Sequence, residues 1–214
     1  SRNPGYPVLL DVDNLADYML LVFYMGSWDA PVIGSGSNNW FGVRDRAGTR
    51  GFTFFAHDME HGMDTGTNAY NRVGPWGTSG TNNWGQTMYN HRETLASGIY
   101  TKSNPHYVHE LLCYSAEYRQ RFADRVQRSF FNGGALTNAN AVARLNALAA
   151  QVDPIIHAEA ARWGSVTLNR NAWLTAKNNT LTFLNNGLYG NPPGGQTSWT
   201  DRKSTRLNSS HRIR

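Results

Sequence analysis

Four acidic and amide residues within the first 60 positions could carry phosphoryl-transfer chemistry. Asp29 lies in a segment rich in turn formers, Asn38 and Asn39 directly precede an aromatic run, and Asp58 follows a second one. Phosphoryl transfer needs one Asp to orient the attacking hydroxyl, and an Asn with a second Asp to hold Mg²⁺ on the phosphates. The order of these residues supplies both roles. From the residues alone it stays open that Asp29 is a turn residue and Asp58 a strand-end cap, because neither H-R-D nor D-F-G is present.

A second motif, His57-x-x-Glu60-His61, matches the inverted zinc-peptidase pattern. That chemistry needs both His on one helical face, with Glu as the general base. The aromatic run before His57 and the glycine Gly62 after His61 favour non-helical structure. A zinc metallopeptidase is therefore kept as the less favoured alternative.

The residues of the first half predict one helix and a hairpin that would position these groups. Asp11 or Asp13 can cap a helix that ends at Gly26. Its apolar positions recur at helical spacing: Leu15, Met19, Val22 and Met25. Residues 40–44 and 51–55 are expected to pair as strands around the polar turn 45–49.

The second half is predicted to be helical, after a long Gly- and Asn-rich loop from about residue 62 to 98. Helix starts are expected at Pro105, after Ser115, at Thr137 or Asn138, at Asp153 and near Trp173. The predicted fold class is α+β, a β-hairpin next to a mainly α-helical body.

Composition and charge exclude several classes of protein. The single cysteine, Cys113, rules out an intramolecular disulfide framework. The formal net charge of +5 arises from residues 202–214, which hold five basic side chains and no acid, so residues 1–201 balance at 15 of each. We expect no nucleic-acid partner and, without a long apolar run, no membrane span. Residues 191–201 are interpreted as a linker and 202–214 as a non-native basic tail.

The chain resembles the CotH kinase family, the spore-coat protein H-like atypical kinases, over roughly residues 8–190. The blocks that carry the resemblance in the first half are Asn14–Tyr18, Tyr24–Pro31, Asn38–Phe41 and Phe52–Glu60. Those in the second half are Ser103–Tyr107, Glu117–Arg128, Asn132–Thr137 and Glu159–Gly164. The resemblance implies the C-terminal lobe of a protein-kinase-like domain, residues 1–190.

The family resemblance also implies roles for particular residues. Asp29 would be the catalytic base, Asn38, Asn39 and Asp58 would bind the nucleotide, and Asn39, Asp58 and Glu60 would hold the metal. ATP and Mg²⁺ are the implied cofactors. The implied reaction transfers the γ-phosphate of ATP to Ser/Thr hydroxyls of a protein substrate, a surface or coat protein, in a cell-surface or extracellular setting.

A kinase also uses a lysine that grips the nucleotide. The three lysines, Lys102, Lys177 and Lys203, all follow Asp29. The expectation is that the N-terminal lobe is missing from this chain and that the fragment alone is inactive. A non-catalytic pseudokinase scaffold is the remaining alternative.

Overall fold

The structure is a computed structural model that describes residues 6–26, 39–44, 46, 50–60, 62–63, 80–81, 87–88, 105–163 and 169–186. It is mostly helical, with two small antiparallel sheets of two strands each. This arrangement agrees with the predicted α+β class. The chain divides into two compact units, residues 1–62 with 70–126, and residues 63–69 with 127–214.

Helix α1, Val12–Met25, has the ends that the sequence predicts. The side chain of Asp11 accepts a hydrogen bond from the backbone N–H of Asn14 at 3.0 Å, which satisfies one of the unpaired donors of the first turn. Gly26 ends the helix in the left-handed conformation at φ 59°. That conformation costs glycine little because it has no Cβ.

The predicted hairpin is confirmed as strands β1, Trp40–Val43, and β2, Thr53–Ala56. They pair antiparallel with Trp40 opposite Ala56 and Val43 opposite Thr53. Two further short strands, β3 (Gly80–Thr81) and β4 (Thr87–Met88), pair antiparallel within the segment predicted to be a loop.

The core of the first unit lies between α1 and β2. Its buried residues come from one face of the helix and from the inward side of the strand: Leu15, Tyr18, Met19, Val22, Phe23 and Phe54. Because side chains alternate along a strand, Phe54 is buried while its neighbour Phe55 is exposed.

Helices α2, Pro105–Leu112, and α3, Ala116–Phe130, follow. The start of α2 at Pro105 matches the sequence prediction, since proline fits the first helical position. The hydroxyl of Ser115 accepts the backbone N–H of Tyr118 at 3.4 Å, as expected of a cap for α3. Asn132 and Gly133, both at positive φ, follow the end of α3.

The second unit contains α4 (Asn138–Val152), a short 3-10 helix (Asp153–Ile155), α5 (Ile156–Trp163) and α6 (Arg170–Asn186). Among its described residues, the Phe183 side chain of α6 is fully buried. The apolar residues of α4 are only partly covered, since Leu148 is 55% exposed. Among the described residues, no helix combines the length and the apolar character needed to span a bilayer.

Candidate functional site

The structure brings Asn39 and Asp58 together at the open end of the hairpin, where β1 begins and β2 has ended. The Asn39 side chain donates from Nδ2 to the backbone carbonyl of Asp58 at 3.1 Å. The backbone N–H of His57 donates to the carbonyl of Asn39, also at 3.1 Å. Two residues that are 19 positions apart in the chain are thus joined by the register of the hairpin.

Both residues adopt the left-handed backbone conformation, Asn39 at φ 58° and Asp58 at φ 50°. This region is uncommon for residues other than glycine, although Asn and Asp enter it more readily than most. Such conformations persist where the surroundings fix them, and they cluster at functional sites.

The segment after Asp58 folds back onto the first unit. The backbone N–H of Gly62 donates to the carbonyl of Met59 at 2.9 Å, which closes a tight turn. Met59 packs against the core cluster. Gly62 lies so close to Met25 of α1 that a Cβ at position 62 would sit 2.7 Å from the Met25 Cε atom. Asp58 is therefore held by packed residues before and after it.

The donor set at the hairpin end suits a hard divalent cation. The Asp58 carboxylate is exposed, and within the part of the chain described no hydrogen bond or ion pair engages it. Asn39 donates through its Nδ2 atom, and an amide side chain ligates a metal through its oxygen. Mg²⁺ is usually bound by one or two protein oxygens, with phosphate oxygens and water completing the octahedron. The residues present fit that requirement.

A metal site made of protein side chains alone is not found among the described residues, where no three His, Cys, Asp or Glu side chains converge. Glu60, the third predicted metal ligand, is exposed and lies in the turn after Asp58. Asp29 and Asn38 lie outside the described residues, so their predicted roles stay predictions.

The described part of the zinc-peptidase motif does not form a helix. Residues 57–59 have no regular secondary structure and Glu60 lies in a turn. The His57 ring packs edge-on against Phe41 of β1, with ring centroids 4.8 Å apart. His61 lies outside the described residues. Residues 57–60 therefore lack the helical face on which the motif relies.

A second polar cluster in the first unit is buried and electrically neutral. His109 Nδ1 lies 2.7 Å from the Tyr118 hydroxyl, and His109 Nε2 lies 3.6 Å from Cys113 Sγ. Burial, reinforced by the neighbouring His106, lowers the pKa of His109 to about 3, although Glu110 opposes this. Burial raises the pKa of the Cys113 thiol to about 12. A nucleophilic cysteine needs a lowered pKa, so the surroundings of Cys113 are those of a structural cysteine.

The sequence analysis missed two sets of contacts that support the site. The side chain of Asn14 bonds to the backbone of Phe54 in β2. Arg121 and Arg125 of α3 pair with carboxylates of α1. The sequence signal for these ion pairs was the matching spacing of the charges. Asp13 and Asp17 lie four residues apart on one face of α1, and Arg121 and Arg125 lie four residues apart on one face of α3.

Comparison with protein families places the chain in a known family. The family model described as CotH kinase protein matches residues 3–188, most of the chain. Comparison of the chain with curated proteins and with solved structures finds no match. The match covers α1, the hairpin with Asn39 and Asp58, and all the helices up to α6. The chain therefore belongs to the CotH kinase family.

Proposed function

We propose that this chain is the phosphate-binding and metal-binding part of an ATP-dependent kinase, equivalent to the C-terminal lobe of a protein kinase. Its activity would be transfer of the ATP γ-phosphate to Ser/Thr hydroxyls of a protein. The observation that carries the proposal is the pairing of Asn39 with Asp58 at the end of the hairpin. An Asn and an Asp on adjacent backbone segments are the side chains that hold Mg²⁺ in protein-kinase sites.

Asp58 and Asn39 would position the nucleotide through the metal. Mg²⁺ bound by Asp58 and Asn39 would neutralise charge on the phosphates, which is most of what the protein must do in this reaction. The exposed Glu60 is two residues beyond Asp58 and could supply a further oxygen, directly or through water.

Asp29 is proposed as the residue that orients the acceptor hydroxyl and takes its proton. It follows the C-cap of α1, Gly26, by three residues. A protein at the cell surface or in a coat is the proposed acceptor. Both assignments rest on the family, and the role of Asp29 rests also on the order of residues in the chain.

The test uses a protein that also carries an N-terminal kinase lobe ahead of residue 1, because these residues alone are expected to be inactive. It measures transfer of labelled γ-phosphate from millimolar ATP and Mg²⁺ to a generic acceptor protein, together with Mg²⁺-dependent ATP binding by calorimetry. Asp58→Asn should weaken Mg²⁺-dependent binding about a hundredfold or more, since losing even an outer contact of a metal site costs roughly 10–100-fold. Asp124→Asn is the matched control, because Asp124 is an exposed carboxylate on α3 that bonds only to Gln120 in the described residues.

The outcomes separate the candidate functions. Transfer that requires Mg²⁺ and is lost in Asp58→Asn and in Asp29→Asn supports the kinase. Binding that depends on Asp58, without transfer, would instead assign a nucleotide-binding scaffold. Stoichiometric zinc that is lost in His61→Ala would contradict both and favour the peptidase.

A further inference from the structure

The strand that leads to Asp58 has two edges, and its second edge is covered by the segment that leads into α1 and by the first turn of that helix. One edge of β2 pairs with β1. On the other edge, the backbone N–H of Phe52 donates to the Leu9 carbonyl at 2.9 Å, and the Phe52 carbonyl accepts from the Asp11 N–H at 3.0 Å. The residues just before α1 thus bond to the start of β2 like a short parallel strand.

The next position on that edge, Phe54, is closed by a side chain. The Asn14 Oδ1 atom accepts from the Phe54 N–H at 2.5 Å, and the Asn14 Nδ2 atom donates to the Phe54 carbonyl at 3.2 Å. A carboxamide has one acceptor oxygen and a donor nitrogen, as a peptide group does. Asn14 therefore replaces the peptide that a third strand would offer to Phe54.

Close backbone packing strengthens this contact between residues 9–14 and residues 51–54, which we call the joint. A Cβ at Gly51 would collide with the backbone of Leu9 and Leu10. The segment before α1 can cross the start of β2 only because position 51 carries no side chain. Arg50, one residue earlier, pairs with Asp11 at 2.7 Å.

The joint fixes the register of β2 and hence the position of Asp58. Because side chains alternate along a strand, a slip of one residue would move Phe54 out of the core and displace the strand end by about 3.3 Å. Asp58 lies four residues beyond Phe54, and Asn39 binds its carbonyl. The same helix, α1, ends at Met25, and its C-cap Gly26 precedes Asp29 by three residues.

We propose that Asn14 is a positioning residue for the Asn39–Asp58 site: its two bonds to Phe54 hold β2 in the register that joins Asp58 to Asn39. The proposal rests on the proposed function where it concerns Mg²⁺ and ATP, and on the hydrogen bonds alone where it concerns register. Asn14 touches no ligand in this role and acts through β2.

The test compares Asn14→Leu, which keeps the size of the side chain and removes both bonds, with Tyr118→Phe. Tyr118→Phe is the control because it removes one buried hydrogen bond, to His109, in the same unit without touching the backbone of β2. Asn14→Asp is the milder second variant, since it retains an acceptor for the Phe54 N–H and loses the donor. Gly51→Ala disturbs the joint from its other side.

Two readouts are measured under conditions in which every variant is folded. The first is exchange of the His57 amide hydrogen, which bonds to Asn39. After correction for the change in global stability, we expect Asn14→Leu to speed it about tenfold or more and Tyr118→Phe to leave it within about twofold. The second is the Kd of Mg²⁺-dependent ATP binding, measured in the protein that also carries the N-terminal lobe and expected to rise about tenfold in Asn14→Leu only.

The two readouts distinguish the failure of this proposal from that of the proposed function. If the unmodified protein with the N-terminal lobe in place binds no ATP with Mg²⁺, the kinase proposal fails and His57 exchange alone decides the role of Asn14. Equal corrected exchange rates of His57 in Asn14→Leu, Asn14→Asp and Tyr118→Phe would overturn the positioning role, whatever the binding result.

Discussion

At the scale of the residue, the candidate site depends on backbone geometry more than on a network of side chains. Asn39 and Asp58 both have positive φ. Each such conformation costs on the order of 1 kcal/mol or more for a residue with a Cβ. The bonds from Asn39 to Asp58 and from His57 to Asn39 contribute stabilisation of about 1 kcal/mol each. The strain is thus offset locally, and the Asp58 carboxylate is left exposed.

His109 should make the stability of the protein sensitive to acid. Its pKa is lowered from 6.5 to about 3 by burial and by His106. The folded state therefore favours the neutral ring, so the stabilisation is complete above pH 6.5 and decreases as the pH falls from 6.5 towards 3. The expected slope is about 1.4 kcal/mol per pH unit, or about 2 kcal/mol between about pH 6.5 and 5.

Urea unfolding at several pH values measures this dependence, with His109→Gln as the comparison. A glutamine side chain at this position would still offer hydrogen-bonding atoms but cannot titrate, so the two slopes should differ by the contribution of one proton below about pH 6.5. The groups facing His109 are His106, Glu110, Cys113, Tyr118 and the rings of Phe23 and Phe122. Identical slopes in both proteins would show that His109 takes up its proton while folded.

At the scale of the element, an ion-pair clamp joins α1 to α3. Arg125 contacts Asp13 at 3.1 Å and Asp17 at 3.2 Å, and its side chain is only 20% exposed. Arg121 contacts Asp13 at 2.9 Å, with its side chain 47% exposed. Exposed pairs contribute little because water and salt screen them, whereas a guanidinium shared by two carboxylates is more constrained.

We expect Arg125→Met to lower the free energy of unfolding by about 1 kcal/mol and Arg121→Met by about 0.5 kcal/mol or less. Methionine retains most of the packing of the alkyl chain, so the difference reports the charge. Denaturation at low salt and at about 1 M NaCl measures both effects, and high salt should narrow the gap between the variants. Equal losses in the two variants at low salt would contradict a clamp centred on Arg125.

The elements that the sequence predicts well are those with local signals at both ends. Helix α1 has Asp11 and Gly26 as its caps, and both are observed. Helix α4 has the predicted start at Asn138, yet its apolar residue Leu148 is exposed. A cap depends on a few adjacent residues, but burial of a helix face depends on which distant segment packs there. Periodicity alone does not contain that information.

In the candidate site, too, the contacts with local sequence signals were predictable and the long-range contacts were not. The hairpin prediction implied that Asn39 and Asp58 meet, because each flanks one of two paired strands. The bonds between Asn14 and Phe54 span 40 positions and have no local signal. The sequence pattern therefore identifies the groups that do chemistry more readily than the groups that position them.

At the scale of the whole molecule, each compact unit has its own buried centre. Met19 and Leu15 of α1 are fully buried in the first unit, and Phe183 of α6 is fully buried in the second. The Asn39–Asp58 pair belongs entirely to the first unit. Units with separate cores open with separate free energies, which hydrogen exchange resolves.

We therefore expect core substitutions to act within their own unit. Phe183→Ala should cost about 3–5 kcal/mol locally and speed amide exchange in α4 and α6, while exchange in α1 and β2 stays unchanged. Met19→Ala is the matched change in the first unit and should give the opposite pattern, with loss of protection at His57. Native-state exchange followed by mass spectrometry measures both sets of amides at once. If either substitution speeds exchange equally in α1 and α6, the two units unfold as one cooperative structure, and the Asn39–Asp58 site depends on the packing of α6 as well.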